Sequence, residues 1–206
     1  MSTDSSPAEP APHRLAEHVL AQHRQRHGPQ APVWVFGYAS LIWRPEFEVA
    51  ERRPAHVQGW HRCLRMRSRV NRGTPDEPGL VFALVSGGAC KGFVYRMHDA
   101  ALAEQFEGLW AREMPNAVYD PRWLPARTPQ GIVPALAFTL SRRSPSWMGA
   151  IADEHMLYIL RHACGRYGTT LDYLLQTADA LRGQGVRDRE IERLVRLAKR
   201  HGLCSG

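Results

Sequence analysis

Residues 33–43 read V-W-V-F-G-Y-A-S-L-I-W and predict a strand that ends in a sharp bend. The first four of these residues are β-branched or aromatic, which is typical of a strand. Gly37 begins a run that contains small residues, and a bend of small residues leaves backbone N–H groups open to close approach. Such N–H groups can hold a carboxylate or an oxyanion. The same pattern also fits a buried strand followed by an ordinary turn.

The composition around this stretch is that of a globular protein of ordinary polarity. The chain has 206 residues, of which 44% are hydrophobic and 23% are charged. No apolar run approaches the roughly 18–20 residues of a membrane helix, and the first residues lack an apolar signal core. We therefore expect a cytoplasmic protein with no membrane partner. Residues 1–31 are expected to form a disordered or partly helical extension, and residues 32–206 a single domain.

Charge and metal-ligand residues narrow the function classes further. The net charge of +7 suits an anionic ligand, but the basic residues do not alternate with aromatics, so no nucleic-acid partner is predicted. The four cysteines form no C-x-x-C pair, which argues against a disulfide framework or a zinc ribbon. Four histidines in a predicted helix over residues 13–27 do not share one helical face. We expect no metal ion, and the oligomeric state stays open.

The remaining pattern predicts an α+β fold with a small β-barrel or strongly curved sheet. Further strands are predicted over residues 55–68, 80–85, 92–95, 117–127 and 132–140. Gly87 and Gly88 stand between two of these strands and predict a hairpin. The C-terminal third reads as three helices, over residues 150–163 and 172–182 and after a capping residue at Asp188. These helices are expected to pack against the barrel and to carry no chemistry.

The helix between the strands carries the main chemical candidate, Glu113. Asp99 is a plausible N-cap and Pro115 ends the helix, whose apolar residues recur at i, i+4, i+7 and i+8. At about 100° per residue, Glu113 falls at the centre of that apolar face. Burial and the negative end of the helix dipole both raise the pKa of a carboxyl group, which suits proton transfer near neutral pH. An ion pair with Arg112 or Arg127 is the alternative.

Several short motifs resemble those of the ChaC-type γ-glutamylcyclotransferases, the glutathione-degrading enzymes. The stretch Gly37-Tyr38-Ala39-Ser40-Leu41-Ile42-Trp43 is similar to the family signature G-Y-G-S-L-[IM]-W. The other matching pieces follow in order over roughly residues 33–200: Gly59-Trp60-His61-Arg62, Arg72-Gly73-Thr74-Pro75, Pro78-Gly79-Leu80, Gly87-Gly88-Ala89-Cys90-Lys91-Gly92, Arg112-Glu113-Met114 and Tyr173-Leu174. The resemblance implies a γ-glutamylcyclotransferase-like small β-barrel with flanking helices and a helical C-terminal region.

The resemblance also implies a reaction and roles for particular residues. Glutathione would be the small-molecule substrate, converted to 5-oxoproline and Cys-Gly without a cofactor, with Glu113 as the general acid and base. Substrate-binding roles would fall to Gly37, Tyr38, Ala39, Ser40, Leu41, Ile42, Arg72 and Tyr119.

Three points stay open. Arg72 also fits a solvated loop residue, and Tyr119 also fits a core tyrosine. Ala39 stands where the family usually has glycine, and an alanine forced to positive φ would cost about 1 kcal/mol. The chain could instead be a cyclotransferase for other γ-glutamyl amines or amino acids, or a non-catalytic module that binds an anion.

Overall fold

A computed structural model describes residues 12–205 of the chain, and five of its strands close into a barrel. The disorder expected at the beginning of the chain concerns residues outside this range. The barrel strands are β1 (Trp34–Gly37), β2 (Val49–Ser68), β3 (Gly79–Met97), β4 (Asp120–Thr128) and β5 (Gly131–Thr139). Their order around the barrel is β1-β3-β2-β4-β5, and β5 closes the ring by pairing parallel to β1. The predicted α+β fold on a small β-barrel is confirmed.

The hairpin predicted at Gly87 and Gly88 is wrong. Both residues lie inside β3, which continues through them and pairs antiparallel with β2 along nearly its whole length. The register shifts opposite them, between Gln58 and Trp60, where Gly59 has φ +79°. Gly87 and Gly88 have φ values of +98° and +71°, which only glycine adopts without strain. The glycines therefore form a bulge that bends two long strands and lets the sheet close.

Helix α2 (Leu102–Glu113) connects β3 to β4 and lies against the outside of the barrel. Phe106, Leu109 and Trp110 form its buried face, as the apolar spacing predicted. A short 3-10 turn (Asp99–Ala101) precedes the helix, and the side chain that caps it belongs to His98 instead of Asp99. The last helical residue is Glu113, two positions before Pro115. The helix therefore carries its final side chain toward the end of the barrel at which β1 ends.

Helix α1 (Pro12–His27) packs against α2 and the barrel. Ala16, Val19 and Leu20 share a buried cluster with the apolar face of α2. His23 is also buried, and its ring stacks on Trp123 with the ring centroids 4.1 Å apart. The division of the chain at residues 31 and 32 stays a prediction.

The C-terminal helices α3 (Asp153–His162), α4 (Thr170–Arg182) and α5 (Arg189–Arg200) pack on the barrel and on one another. A small antiparallel hairpin, β6 (Cys164–Gly165) and β7 (Gly168–Thr169), joins α3 to α4. Thr169 and Asp172 form a capping box at the start of α4. The Asp188 carboxylate caps α5 as predicted, because it accepts hydrogen bonds from the N–H groups of Glu190 and Ile191. Within residues 12–205, no helix combines the length and apolarity needed to cross a membrane.

Candidate active site

The bend after β1 turns sharply because Gly37 has no side chain. A β-carbon at Gly37 would lie 2.7 Å from Cε2 of the buried Tyr95 ring and 3.2 Å from Cβ of Leu41. The carbonyl oxygen of Tyr38, the next residue, accepts a hydrogen bond from the buried guanidinium of Arg62. Arg62 also donates to the Asp188 carboxylate at 2.9 Å. The bend is therefore held by a side chain of β2 that is anchored to the start of α5.

Ala39 does not adopt the strained conformation considered from the sequence. Its φ is −144°, so an alanine at this position carries no left-handed penalty. The residue is 5% exposed and packs within the core. Compared with the glycine that the family usually has here, Ala39 therefore adds only one buried methyl group.

Backbone N–H groups are left without partners along this bend. A short 3-10 helix (Ser40–Ile42) begins there, in which the Ile42 N–H donates to the Ala39 carbonyl at 2.9 Å. The N–H groups at the start of a helix have no intrahelical acceptor. Those of Ala39, Ser40 and Leu41 find no acceptor within the described residues 12–205. The bend can therefore offer donors to a carbonyl oxygen or a carboxylate.

Leu41 and Ile42 can take part in binding only through their main chain. Both side chains are buried, at 5% and 9% exposure, and each belongs to a hydrophobic cluster. The hydroxyl of Ser40, by contrast, faces polar groups and accepts a hydrogen bond from Arg112 at 3.2 Å.

The Glu113 carboxyl group points inward, as the helical spacing predicted. Its side chain is 14% exposed and lies beside Arg112, with Nε of the arginine 3.2 Å from Oε1 of Glu113. Burial raises the pKa of Glu113 above its ordinary value, the Arg112 charge opposes that shift, and the Glu46 carboxylate adds to it. Burial thus outweighs the neighbouring arginine, and the ion pair considered as an alternative exists together with an upward-shifted pKa.

Arg112 ties Glu113 to the bend. Beyond its contact with Glu113, the guanidinium donates to the Ser40 hydroxyl, to the carbonyl oxygens of Arg44 and Pro45, and to the Glu46 carboxylate at 3.0 Å. A planar guanidinium presents five N–H groups in fixed directions, which suits it to hold several acceptors at once. From the sequence Arg112 is predicted only as an ion-pair partner of Glu113, because its other contacts depend on the path of the loop after Ser40.

Three tyrosines lie near enough to the Glu113 carboxyl group to interact with its charge, two of them buried and the third, Tyr119, partly buried. They are Tyr38 from the bend, Tyr119 from the segment before β4, and Tyr173 from α4. Burial raises the pKa of Tyr38 and Tyr119 well above the usual range, and each is raised further by Glu113 nearby. Burial likewise raises the pKa of Tyr173, to which Glu113 also contributes. The hydroxyls therefore stay protonated. That of Tyr38 donates to the Phe138 carbonyl oxygen at 3.0 Å, and those of Tyr119 and Tyr173 can donate hydrogen bonds to groups beside Glu113.

Tyr173 has no predicted role beyond its place in the Tyr173-Leu174 motif, and the prediction that the C-terminal helices carry no chemistry leaves it out of the site. The structure brings α4 to the site because its Tyr173 ring packs beneath the Arg72 guanidinium, with Cζ 5.1 Å from the ring centroid. The signal that could have found it was a tyrosine on the buried face of a helix whose other large buried side chains are leucines.

Arg72 is buried, so the interpretation as a solvated loop arginine is wrong. It is 6% exposed, and its Nη1 donates to the carbonyl oxygens of Tyr167 at 2.6 Å and of Thr169 at 3.4 Å. Burial lowers the pKa of this guanidinium, although arginine keeps its charge at any ordinary pH. The Arg72 charge therefore lies over Tyr173 at the wall of the site. One of the guanidinium nitrogens already donates to the β6–β7 hairpin, and the others can still bind a ligand.

No metal centre accompanies this arrangement within the described residues, since no three His, Cys, Asp or Glu side chains there are close enough to hold an ion. Two open surface clefts, of about 690 and 450 Å³, are lined by residues other than Glu113 and its tyrosines. What the site offers is one carboxyl group of raised pKa, three neutral hydroxyls, bare amides and two arginines.

Comparisons with known proteins agree on one family. The family model described as "ChaC-like protein" matches residues 33–201. The glutathione-specific γ-glutamylcyclotransferase of Escherichia coli (strain K12) is 33% identical over 160 residues, which are 77% of this chain and 69% of that protein. The glutathione-specific γ-glutamylcyclotransferase 1 of Rattus norvegicus is 28% identical over 202 residues, 95% of this chain and 91% of that protein.

Among solved structures, a glutathione-specific γ-glutamylcyclotransferase from yeast has the same fold. It superposes with a TM-score of 0.73 at 18% identity, over 84% of this chain and 97% of that one. At this identity the likeness is one of fold.

Proposed function

The chain belongs to the ChaC-like protein family, and from that membership we propose that it is a γ-glutamylcyclotransferase that cleaves glutathione to 5-oxoproline and Cys-Gly. The observation that supports this most strongly is a single inward-pointing carboxyl group of raised pKa, Glu113, joined through Arg112 to a bend with unpaired amides. An intramolecular acyl transfer needs a base and a set of donors for the reacting carbonyl, and these two features supply them. A cytoplasmic location stays a prediction.

In the proposed reaction the α-amine of the γ-glutamyl group attacks the γ-carbonyl carbon of the same group. Glu113 accepts a proton from the α-ammonium, which makes the nitrogen nucleophilic. The new C–N bond closes the five-membered ring and the old amide C–N bond breaks. Glu113 gives the proton it took to the departing nitrogen of Cys-Gly, and the ring nitrogen loses its second proton to that amine, which leaves as an ammonium. Glu113 returns to its starting charge, so one carboxyl group serves as base and then as acid.

The bend stabilises the oxygen that becomes negative when the ring closes. The N–H groups of Ala39, Ser40 and Leu41 are already unpaired, so they need no rearrangement when charge develops. Donors fixed in advance are worth more than flexible ones because their alignment costs nothing at the moment of reaction. Gly37 lets this backbone pack closely against the Tyr95 ring, which helps to fix the donors in place.

The tyrosines and Arg72 hold the substrate in the folded-back geometry that the attack requires. Tyr119 and Tyr173 keep their protons at neutral pH and can donate to the α-carboxylate or to Glu113. The Tyr38 hydroxyl donates to the Phe138 carbonyl oxygen at 3.0 Å, which fixes the position of its ring. Arg72 supplies a positive charge at the same wall. Orientation of this kind accounts for a large share of the acceleration of intramolecular reactions.

Release of 5-oxoproline from glutathione by the purified protein tests this proposal. Glu113→Gln should lower kcat/KM by about 10²–10⁴, the usual contribution of a general acid–base residue. Glu107→Gln, an exposed position on the same helix, is the matched control and should behave as the unmodified protein. Glutathione binding without turnover would indicate a non-catalytic module, and turnover only of γ-glutamyl-alanine or γ-glutamylamines would indicate a different cyclotransferase.

A further inference from the structure

We propose that Arg44, Arg166 and Tyr167 form a receptor for the free carboxylate of the departing dipeptide, and that this receptor makes the enzyme prefer glutathione over γ-glutamyl compounds that lack that carboxylate. The inference rests on the proposed function and extends it from the glutamyl half of the substrate to the other half. It is carried by an exposed aromatic residue and two arginines beside the mouth of the site.

The β6–β7 hairpin is fixed to the loop that carries Arg72. The N–H groups of Arg166 and Tyr167 donate to the carbonyl oxygens of Val70 and Asn71 at 2.8 and 2.9 Å. Arg72 in turn donates to the carbonyl oxygen of Tyr167 at 2.6 Å. The tip of the hairpin is thus held in place by main-chain hydrogen bonds, and its side chains are left to face outward.

Two guanidinium groups converge on the ring of Tyr167. The ring is 47% exposed, and Cζ of Arg44 and Cζ of Arg166 lie 5.5 and 5.3 Å from its centroid. The quadrupole of an aromatic ring attracts cations, so the Tyr167 ring stabilises both arginines beside it. Each of the two guanidiniums has N–H groups that can pair with a carboxylate arriving at this exposed ring.

The surface around Arg44, Arg166 and Tyr167, called the rim below, keeps a positive charge after its ion pairs are counted. Arg44 pairs with Glu46, but Glu46 also pairs with Arg112, so one carboxylate serves two arginines. Arg166 and Arg72 form no ion pair with a carboxylate within residues 12–205. The Asp172 carboxylate acts on Arg72 through space, so three arginines (Arg44, Arg72 and Arg166) face two carboxylates (Glu46 and Asp172) and an incoming carboxylate would meet a net charge of +1.

The rim lies one residue layer outside the Glu113 cluster. Tyr173 adjoins Glu113, the Arg72 guanidinium lies over Tyr173, and the Tyr167 main chain lies on Arg72. The Arg44 main chain is bound to Arg112, which contacts Glu113 from the other side. An extended dipeptide spans about 7 Å, and the proposal requires that a Cys-Gly unit whose amine lies at Glu113 extends along Arg72 toward Tyr167.

The test compares three substrates that differ only in the departing half: glutathione, its glycine amide, and γ-glutamyl-cysteine amide, of which the last two lack the terminal negative charge. The unmodified protein should turn over glutathione with a kcat/KM about tenfold or more above that of the glycine amide, as a charge-assisted contact implies. In Arg166→Gln and Arg44→Gln this ratio should fall severalfold, mostly through KM, and in the double variant it should approach one. Arg200→Gln, an exposed arginine at the end of α5, controls for the loss of one surface charge.

Several outcomes would overturn the inference. A ratio near one in the unmodified protein would do so while leaving the proposed function intact, because glutathione would still be cleaved. Variants that lower turnover of both substrates equally would show that the arginines only support the fold. Absence of 5-oxoproline from every γ-glutamyl substrate would overturn the proposed function and this inference together.

Discussion

Adding one methyl group to the bend should both destabilise the protein and inactivate it. In Gly37→Ala the new β-carbon would lie 2.7 Å from the Tyr95 ring, against an optimum of about 3.5–4.0 Å for two carbons. The ring cannot move away freely, since it is 2% exposed, its edge packs near Phe47, and its hydroxyl donates to the Ile42 carbonyl. The substitution therefore pushes on the 3-10 turn whose amides are proposed to bind the reacting oxygen.

The expected loss of unfolding free energy follows from the usual cost of overpacking a filled core. An extra methylene or methyl in a filled core costs about 1–3 kcal/mol, which corresponds to a fall in Tm of about 2–12 °C for a chain of this length. The value of kcat/KM should fall by more than the loss of folded protein explains, because donors to the oxyanion lose their effect when they are displaced. Thermal unfolding and 5-oxoproline release on the same preparations measure the two effects.

The same substitution at Gly108 is the matched control. Gly108 lies in α2, and a β-carbon there would meet no atom within 4 Å. Replacing an exposed helical glycine by alanine stabilises by about 0.5–1 kcal/mol, so Gly108→Ala should raise Tm and keep full activity. If Gly37→Ala also kept its Tm and its activity, the close approach between the bend and Tyr95 would be wrong.

Three further perturbations test other parts of the structure. Burial of His23 against Trp123 lowers its pKa from the usual 6.5. Because the unfolded chain then takes up the proton at a higher pH than the folded protein, the stability should fall as the pH drops below 6.5. The dependence of Tm on pH should therefore be flatter in His23→Gln. Because Arg112 opposes the burial shift of Glu113, Arg112→Gln should move the acid limb of kcat/KM to higher pH, and an unmoved limb would contradict the contact. Arg62→Met should cost on the order of 3 kcal/mol of unfolding free energy in denaturant, since it leaves the Asp188 carboxylate without its buried partner; no loss would mean that Arg62 does not hold the bend.

Local patterns in the sequence were enough to predict the bend and the inward carboxyl group. The strand before Gly37 and the spacing of Leu102, Phe106, Leu109 and Trp110 are short-range signals, and each fixes the direction of a side chain without knowledge of the rest of the chain. Both predictions are confirmed in the geometry of β1 and α2.

Features that depend on distant segments were missed. Gly87 and Gly88 look like a turn in isolation, and only the facing Gly59 in β2 makes them a bulge inside a continuous strand. Tyr173 reaches Glu113 from α4, about sixty positions along the chain, and no local period predicts that approach. Arg112 acquires its role from carbonyl groups of residues 44 and 45, which face it only after the barrel has closed.

The pH dependence of kcat/KM for glutathione tests most directly whether a buried Glu113 carboxylate is the base. The rate should fall on the acid side as one proton is taken up, with a midpoint above 4.5, the ordinary pKa of a glutamate, and this limb should vanish from the residual activity of Glu113→Gln. A midpoint at or below 4.5, or an acid limb that persists unchanged in the variant, would contradict the account.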